Sequence, residues 1–240
     1  MKKKQTSDFT DYSGLEELIN TEIMTNYNSS IVQDAVNSSK NIKTLVDFGA
    51  GIGTLSKIFR EQHSIETLCV EVDVKNKEFL ASRKFKHFDR LHEVPDSVDF
   101  IFSSNVLEHI ENDTLVLKEM RDKLELSGKL FLYLPANIAL WTKMDEEVGH
   151  YRRYQMGDIK EKCLLAGFSV EKIFYADSLG FVATLLVKYF GYNNKSGLGS
   201  PSSLRIYDKW IFPVSRFLDS IGFKYLFGKN LVVIANKPSL

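Results

Sequence analysis

The sequence predicts a doubly wound α/β fold on a mostly parallel sheet. Three observations carry this. Short apolar runs alternate with helical apolar spacing from Thr44 to Leu134. The first run ends in a glycine cluster, Gly49, Gly51 and Gly53. The second ends in acids, Glu71 and Asp73. Strands that alternate with helices imply βαβ units, with right-handed crossovers and ligands beyond the carboxyl ends of the strands.

The elements follow in order. Residues 1 to about 13 are polar and expected to fray. Leu15, Leu18, Ile19, Ile23, Ile31, Val32, Ala35 and Val36 recur at helical spacing, which predicts one or two helices from Gly14 to Ser39, with a break at Asn26–Ser30. Thr44–Phe48 reads as a strand, Gly53–Gln62 as a helix, Thr67–Val72 as a strand and Lys75–Arg83 as a helix. Lys84–Leu91 has room for a short third strand. Ser97–Phe102 is a strand, Asp113–Leu124 a helix, Ser127–Gly128 a turn and Lys129–Leu134 a strand. Asn137–Tyr154 is a long polar and aromatic connection. Gly157–Ala166 reads as a helix closed by Gly167, and Ser169–Tyr175 as a strand. Residues 178–227 are helical and aromatic, interrupted by a loop at Gly191–Gly197, and Asn230–Ala235 is a last strand. The chain divides into an N-terminal helical segment (14–39), a ligand-binding core (40–177), a helical insertion or lid (178–227) and a final strand (228–238) of one domain.

Composition narrows the function classes. The chain has 240 residues, 44% of them hydrophobic, enough for one large core. Its 31 basic and 31 acidic residues cancel, so no nucleic-acid backbone is expected as a partner. The two cysteines, Cys69 and Cys163, read as small buried hydrophobes rather than a disulfide or a metal cluster. No metal is implied, because no ligand cluster stands out at binding spacing. Lys2-Lys3-Lys4 is followed by polar residues and no apolar segment, so a signal peptide is not expected. No apolar run reaches the ~18 residues of a membrane span. A cytoplasmic protein is the default.

The segment Val46-Asp47-Phe48-Gly49-Ala50-Gly51-Ile52-Gly53 carries the first chemical signal. Glycines allow a sharp strand-to-helix turn and close approach of a ligand to the backbone. The following helix offers unpaired N–H groups to an anion. A dinucleotide fingerprint needs G-x-G-x-x-G, whose third glycine would fall on Thr54 or Ser56, so neither register fits. The spacing present is G-x-G-x-G with an acid two residues before it. It resembles class I methyltransferases that use S-adenosylmethionine. A plain tight turn is the alternative for this segment alone.

The resemblance extends further. Glu71, at the strand end Val70-Glu71-Val72-Asp73, would bind the cofactor ribose hydroxyls, with Asp73 as the alternative acid. Ser97 to Ile110, including Ser103-Ser104-Asn105-Val106-Leu107-Glu108-His109, is the strongest match to the family pattern. The stretch then runs through the helix to Leu126-Ser127-Gly128, where the family usually has Pro-Gly-Gly. By this resemblance Asp47, Gly49, Ala50, Gly51, Gly53, Glu71, Val72, Ser104 and Asn105 line the cofactor. Asp89 is a candidate for the adenine amino group, against the plainer reading of an exposed loop acid. His109 is a candidate general base, or else a histidine that orders the loop.

Gly149-His150-Tyr151-Arg152-Arg153-Tyr154 resembles a subgroup of bacterial and archaeal methyltransferases associated with glycan or lipid-linked saccharide pathways. His150 is the favoured base candidate. Tyr151, Arg152 and Arg153 are candidates for binding an acidic or phosphorylated acceptor. The plainer reading pairs Asp145 or Glu146 with Arg152 or Arg153 to shape a lid. The aromatic, basic helices after Phe181 admit a peripheral membrane contact or a homodimer contact, beside ordinary packing on their own domain.

The resemblance implies the sheet order 3-2-1-4-5-7-6 with the last strand antiparallel. It also implies methyl transfer from S-adenosylmethionine to an oxygen or nitrogen of a small-molecule or glycan-type acceptor. Two rivals stand beside this: a non-catalytic S-adenosylmethionine-binding scaffold with a degenerate methyltransferase fold, and a dinucleotide-dependent oxidoreductase.

Overall fold

A computed structural model describes residues 14–190 and 200–239. The fraying expected of residues 1–13 and the whole of the Gly191–Gly197 loop lie outside the described residues. In chain order the elements are α1 (Leu15–Thr21), α2 (Thr25–Asn37), β1 (Leu45–Phe48), α3 (Thr54–His63), β2 (Thr67–Val70), α4 (Val74–Ser82) and β3 (Lys86–Phe88). Then come β4 (Val98–Ser104), α5 (Asp113–Lys123), β5 (Leu124–Pro135), α6 (Lys143–Glu147), α7 (Met156–Leu165) and β6 (Ser169–Ala176). The chain closes with α8 (Ser178–Phe190), α9 (Pro201–Ile206), a π-helical turn at Tyr207–Ile211, α10 (Phe212–Ser220) and β7 (Asn230–Asn236).

The seven strands form one sheet in the order β3-β2-β1-β4-β5-β7-β6, with β7 antiparallel to both of its neighbours. This is the expected fold. The buried strands read as continuous apolar runs because both faces are covered. On one face Val46, Ile101, Leu130 and Leu132 meet Leu117 and Met120 of α5 and Ile159 and Cys163 of α7. On the other, Leu45, Phe100, Phe102 and Phe131 meet Ile31, Val32 and Ala35 of α2 and Phe59 of α3. Alternate residues of one strand thus serve opposite layers. Both cysteines are free and buried, and burial pushes each thiol up to about 12.

Two local expectations are corrected. The N-terminal helices break at Glu22–Met24, and Asn26–Ser30 lies inside α2. Asp208 takes the place of a cap there, accepting from the Asn26 and Tyr27 amides. Ser127–Gly128 is not a turn ahead of the strand but an irregularity within β5, where the pairing with β4 shifts register between Val98 and Phe100. Ser127 takes φ +63° there.

The C-terminal helices dock on α2 through Asp208 and through the Arg216–Asp34 fork. Their outer surface exposes Trp210, Val214, Phe217, Ile221, Tyr225 and Leu226. Among the described residues, no helix is long and apolar enough to cross a membrane.

Candidate active site

The site lies where β1, β2, β4 and β5 end, beside the point where the sheet order reverses. The chain leaves β1 through Gly49, Gly51 and Gly53, which take φ of +76°, +54° and +82°. L-residues with a Cβ rarely adopt these values. The Gly49 and Ala50 amides donate to the Val70 carbonyl, which ties the loop to the end of β2. A Cβ on Gly49 would sit 2.2 Å from Val106 Cγ2, so the loop after β4 packs directly on the glycine turn. A Cβ on Gly51 would come within 3.3 Å of Leu18, so α1 covers the loop from the other side.

Glu71 is buried beside this turn. Its Oε2 accepts from the Gly51 amide at 2.7 Å and its Oε1 from the Asp73 amide at 2.9 Å. Burial raises its carboxyl above the usual range, although these bonds oppose the rise. Asp73 is engaged elsewhere, capping α4 by accepting from the Asn76 amide. Asp47 is buried and accepts from Ser56 Oγ at 2.6 Å. Burial, with the nearby Glu71 charge, pushes it up to about 7.

The remaining cofactor candidates scatter in depth. Ser104 and Asn105 end β4. Asn105 holds φ +53°, donates its amide to the Tyr133 carbonyl and leaves its side chain exposed. Val72 is exposed at the end of β2. Asp89 is exposed, with its carboxylate paired to Lys77 at 2.7 Å. It follows β3 directly, next to Phe88, whose carbonyl accepts from the Glu71 amide at 3.0 Å.

A second cluster forms on the acceptor side. His109 closes the short 3-10 turn Leu107–His109, and its ring lies edge-on to His150, centroids 4.6 Å apart. The Tyr151 amide donates to the Glu108 carbonyl, fastening the two segments together. His150 Nδ1 lies 2.8 Å from Asp145 Oδ1 and its Nε2 3.9 Å from Glu108 Oε1. Burial pushes Glu108 up to about 8. Burial and the neighbouring His150 push His109 down to about 4. Asp145 is buried, which alone would raise its carboxyl. The bonds from His150 and Arg153 outweigh this and hold it at about 2.

Both guanidinium groups are engaged by protein carboxylates. Arg153 forks onto Asp145 at 2.8 and 3.1 Å. Arg152 meets Asp113 at 2.7 Å, where Lys162 and Tyr154 also bind. Tyr151 projects outward and is exposed. Glu108 and Asp113 were given no role by the sequence pattern, and the fold brings Glu108, His109 and His150 together in a grouping that no spacing in the sequence marked. Its only sequence signal was an acid-histidine pair at a strand end. His150 lies 41 positions further along (150 against 109), and only the fold brings it back.

The residues fit S-adenosylmethionine. A glycine cradle that a Cβ would fill lies beside a buried carboxylate suited to vicinal hydroxyls. A methyltransferase domain family matches residues 21–173. Searching curated protein sequences finds no match. Among solved structures, the chain is similar to an S-adenosylmethionine-dependent methyltransferase of Archaeoglobus fulgidus, at 17% identity and TM-score 0.62. That match covers 95% of this chain and 100% of the other. It is also similar to phosphoethanolamine N-methyltransferase 2 of Haemonchus contortus in complex with S-adenosylmethionine, at 15% identity and TM-score 0.63. There 98% of this chain and 61% of the other are covered.

Proposed function

Because the chain belongs to the methyltransferase domain family, we propose that it moves the methyl group of S-adenosylmethionine to an oxygen or nitrogen of a small-molecule, glycan or lipid-linked saccharide acceptor. S-adenosylmethionine is its cofactor and supplies an electrophilic methyl group on a sulfonium. The observation that carries the site assignment is the bond between Gly51 and Glu71, which joins the glycine turn to a buried acceptor carboxylate.

In this reading Gly49, Ala50, Gly51 and Gly53 accommodate the cofactor's close approach. Glu71 receives its ribose hydroxyls, with Val72 against the adenine. Ser104 and Asn105 border the methionine end, and Asp47 sits beneath the loop. Asp89 would turn from Lys77 toward the adenine amino group. Placement of the acceptor in line supplies much of the rate. His150, oriented through Nδ1 by Asp145, presents Nε2 to the acceptor side, with His109 beside it. An acceptor proton leaves toward this pair. Tyr151, Arg152 and Arg153 shape the acceptor entrance. The segment Gly149–Tyr154 favours the saccharide-pathway subgroup.

The whole chain acts as one domain, with residues 178–227 as a lid or insertion. Its exposed Trp210, Phe217, Tyr225 and Leu226, beside Lys209 and Lys224, favour peripheral contact with an anionic membrane surface over a homodimer. A cytoplasmic location accords with this. Sedimentation with anionic vesicles at low salt tests the contact, and a protein left in the supernatant removes it. Turnover of labelled S-adenosylmethionine across saccharide, carboxylate and amine acceptors tests the activity. Cofactor binding with no turnover on any class would favour a scaffold.

A further inference from the structure

We propose that Glu108, His109 and His150 bind one divalent first-row metal ion, whose open position holds an oxygen of the methyl acceptor. The part concerning the acceptor rests on the reading above; binding of the ion does not.

One ligand atom from each of the three residues lies within 4.8 Å of the other two. Metal bonds of about 2.1 Å place tetrahedral ligand atoms roughly 3.4 Å apart, so the side chains need close by only about an ångström. Glu108 is fully buried, and neither of its carboxylate oxygens has a hydrogen-bond partner. A buried carboxyl without a partner is costly. The His150 ring nitrogen at 3.9 Å is beyond hydrogen-bonding reach.

The imidazoles are held from behind, as metal-bound histidines are. Asp145 is forked by Arg153 and acts only as an acceptor, so the proton of His150 sits on Nδ1. Its Nε2 faces Glu108 Oε1 at 3.9 Å. A ring nitrogen and a buried, unpartnered carboxylate oxygen thus face each other beyond hydrogen-bonding reach, and a cation between them would engage both. His109 is held by the backbone of Val148.

The ligand set also names the class of ion. Two imidazoles and one carboxylate suit Zn²⁺, Mn²⁺, Fe²⁺ or Co²⁺ better than Mg²⁺ or Ca²⁺, which prefer oxygen. Three protein ligands leave coordination positions open. A hydroxyl or carboxylate oxygen bound there is polarised and oriented. With the ion bound the two rings serve as its ligands, and the ion takes over from the imidazole pair the loosening of the acceptor's proton.

The test uses the full chain, stripped with a chelator and titrated calorimetrically with Zn²⁺, Mn²⁺ and Mg²⁺. One equivalent of Zn²⁺ or Mn²⁺ should bind, with Mg²⁺ at least about 100-fold weaker. The double variant H109Q/H150Q and the isosteric E108Q should each lose that equivalent, and D145N should weaken it roughly 10- to 100-fold. A thermal shift with S-adenosylhomocysteine reports that each variant is folded. Wild-type protein that binds no ion overturns the proposal, as does an equivalent retained by folded E108Q and H109Q/H150Q. Ion binding without any S-adenosylhomocysteine shift would instead sink the methyl-transfer reading and leave the metal site standing.

Discussion

The Gly51 amide donates to Glu71 Oε2 at 2.7 Å, so the turn that leaves β1 and the acid that ends β2 are one unit. A ligand that takes up the Glu71 carboxylate therefore also meets the backbone of the glycine loop.

Replacing Glu71 with Gln should weaken S-adenosylhomocysteine binding about 10- to 100-fold, the loss of charge-assisted bonds worth roughly 1.5–3 kcal/mol. Calorimetric titration reads this directly. Affinity within a factor of two of wild type would move the ribose contact to another acid, Asp73 first.

Two glycines with similar φ should behave differently. Gly49→Ala drives a Cβ to 2.2 Å from Val106 and should cost about 2–4 kcal/mol, strain and overpacking together. Gly149 has φ +78° and no atom within 4 Å of an added Cβ, so Gly149→Ala should cost only about 1 kcal/mol. Denaturant unfolding of both variants checks the contrast, and equal losses would contradict the packing of Val106 on the turn.

Much of this site was legible in the sequence because strand ends in an α/β sheet are marked locally. The glycines must follow β1, and the acid must follow β2. The acceptor side was legible only as a list of types. His150, Arg152 and Arg153 were visible, and so was Asp145 as the partner of an arginine, but Asp113 and Glu108 are chosen as partners by how the segment Asn137–Tyr154 folds back on the loop after β4. The break before α2 was misplaced for the same reason. Asp208, 182 residues beyond Asn26, supplies the cap that no local residue does.

Asp47 should make stability depend on pH. Its folded value is raised to about 7 by burial, so the folded state keeps a proton that the unfolded state releases near 3.8. Stability from this group is full below about pH 4, falls by up to about 1.4 kcal/mol per pH unit toward pH 7, and is flat above it. Asp47→Asn retains an acceptor for Ser56 and removes this slope. The difference in unfolding free energy between wild type and variant, followed from pH 4 to 8, checks it. Parallel curves would mean that Asp47 is ionised throughout.

Asp145→Asn strips the carboxylate from Arg153 and His150 at once. The loss of a buried ion pair should cost about 3–5 kcal/mol, provided the charge of Arg153 stays in place. The double variant with Arg153→Met should recover part of that loss, since the uncompensated cation goes too. No recovery in the thermal midpoint would show that Asp145 acts through His150 alone.

Calorimetric titration of S-adenosylmethionine into the wild-type chain and into Gly51→Val tests the cofactor site most directly. One cofactor should bind per wild-type chain and none measurably to the variant, whose side chain would fill the cradle under Leu18. Unchanged affinity in a folded Gly51→Val protein would contradict this placement of the site.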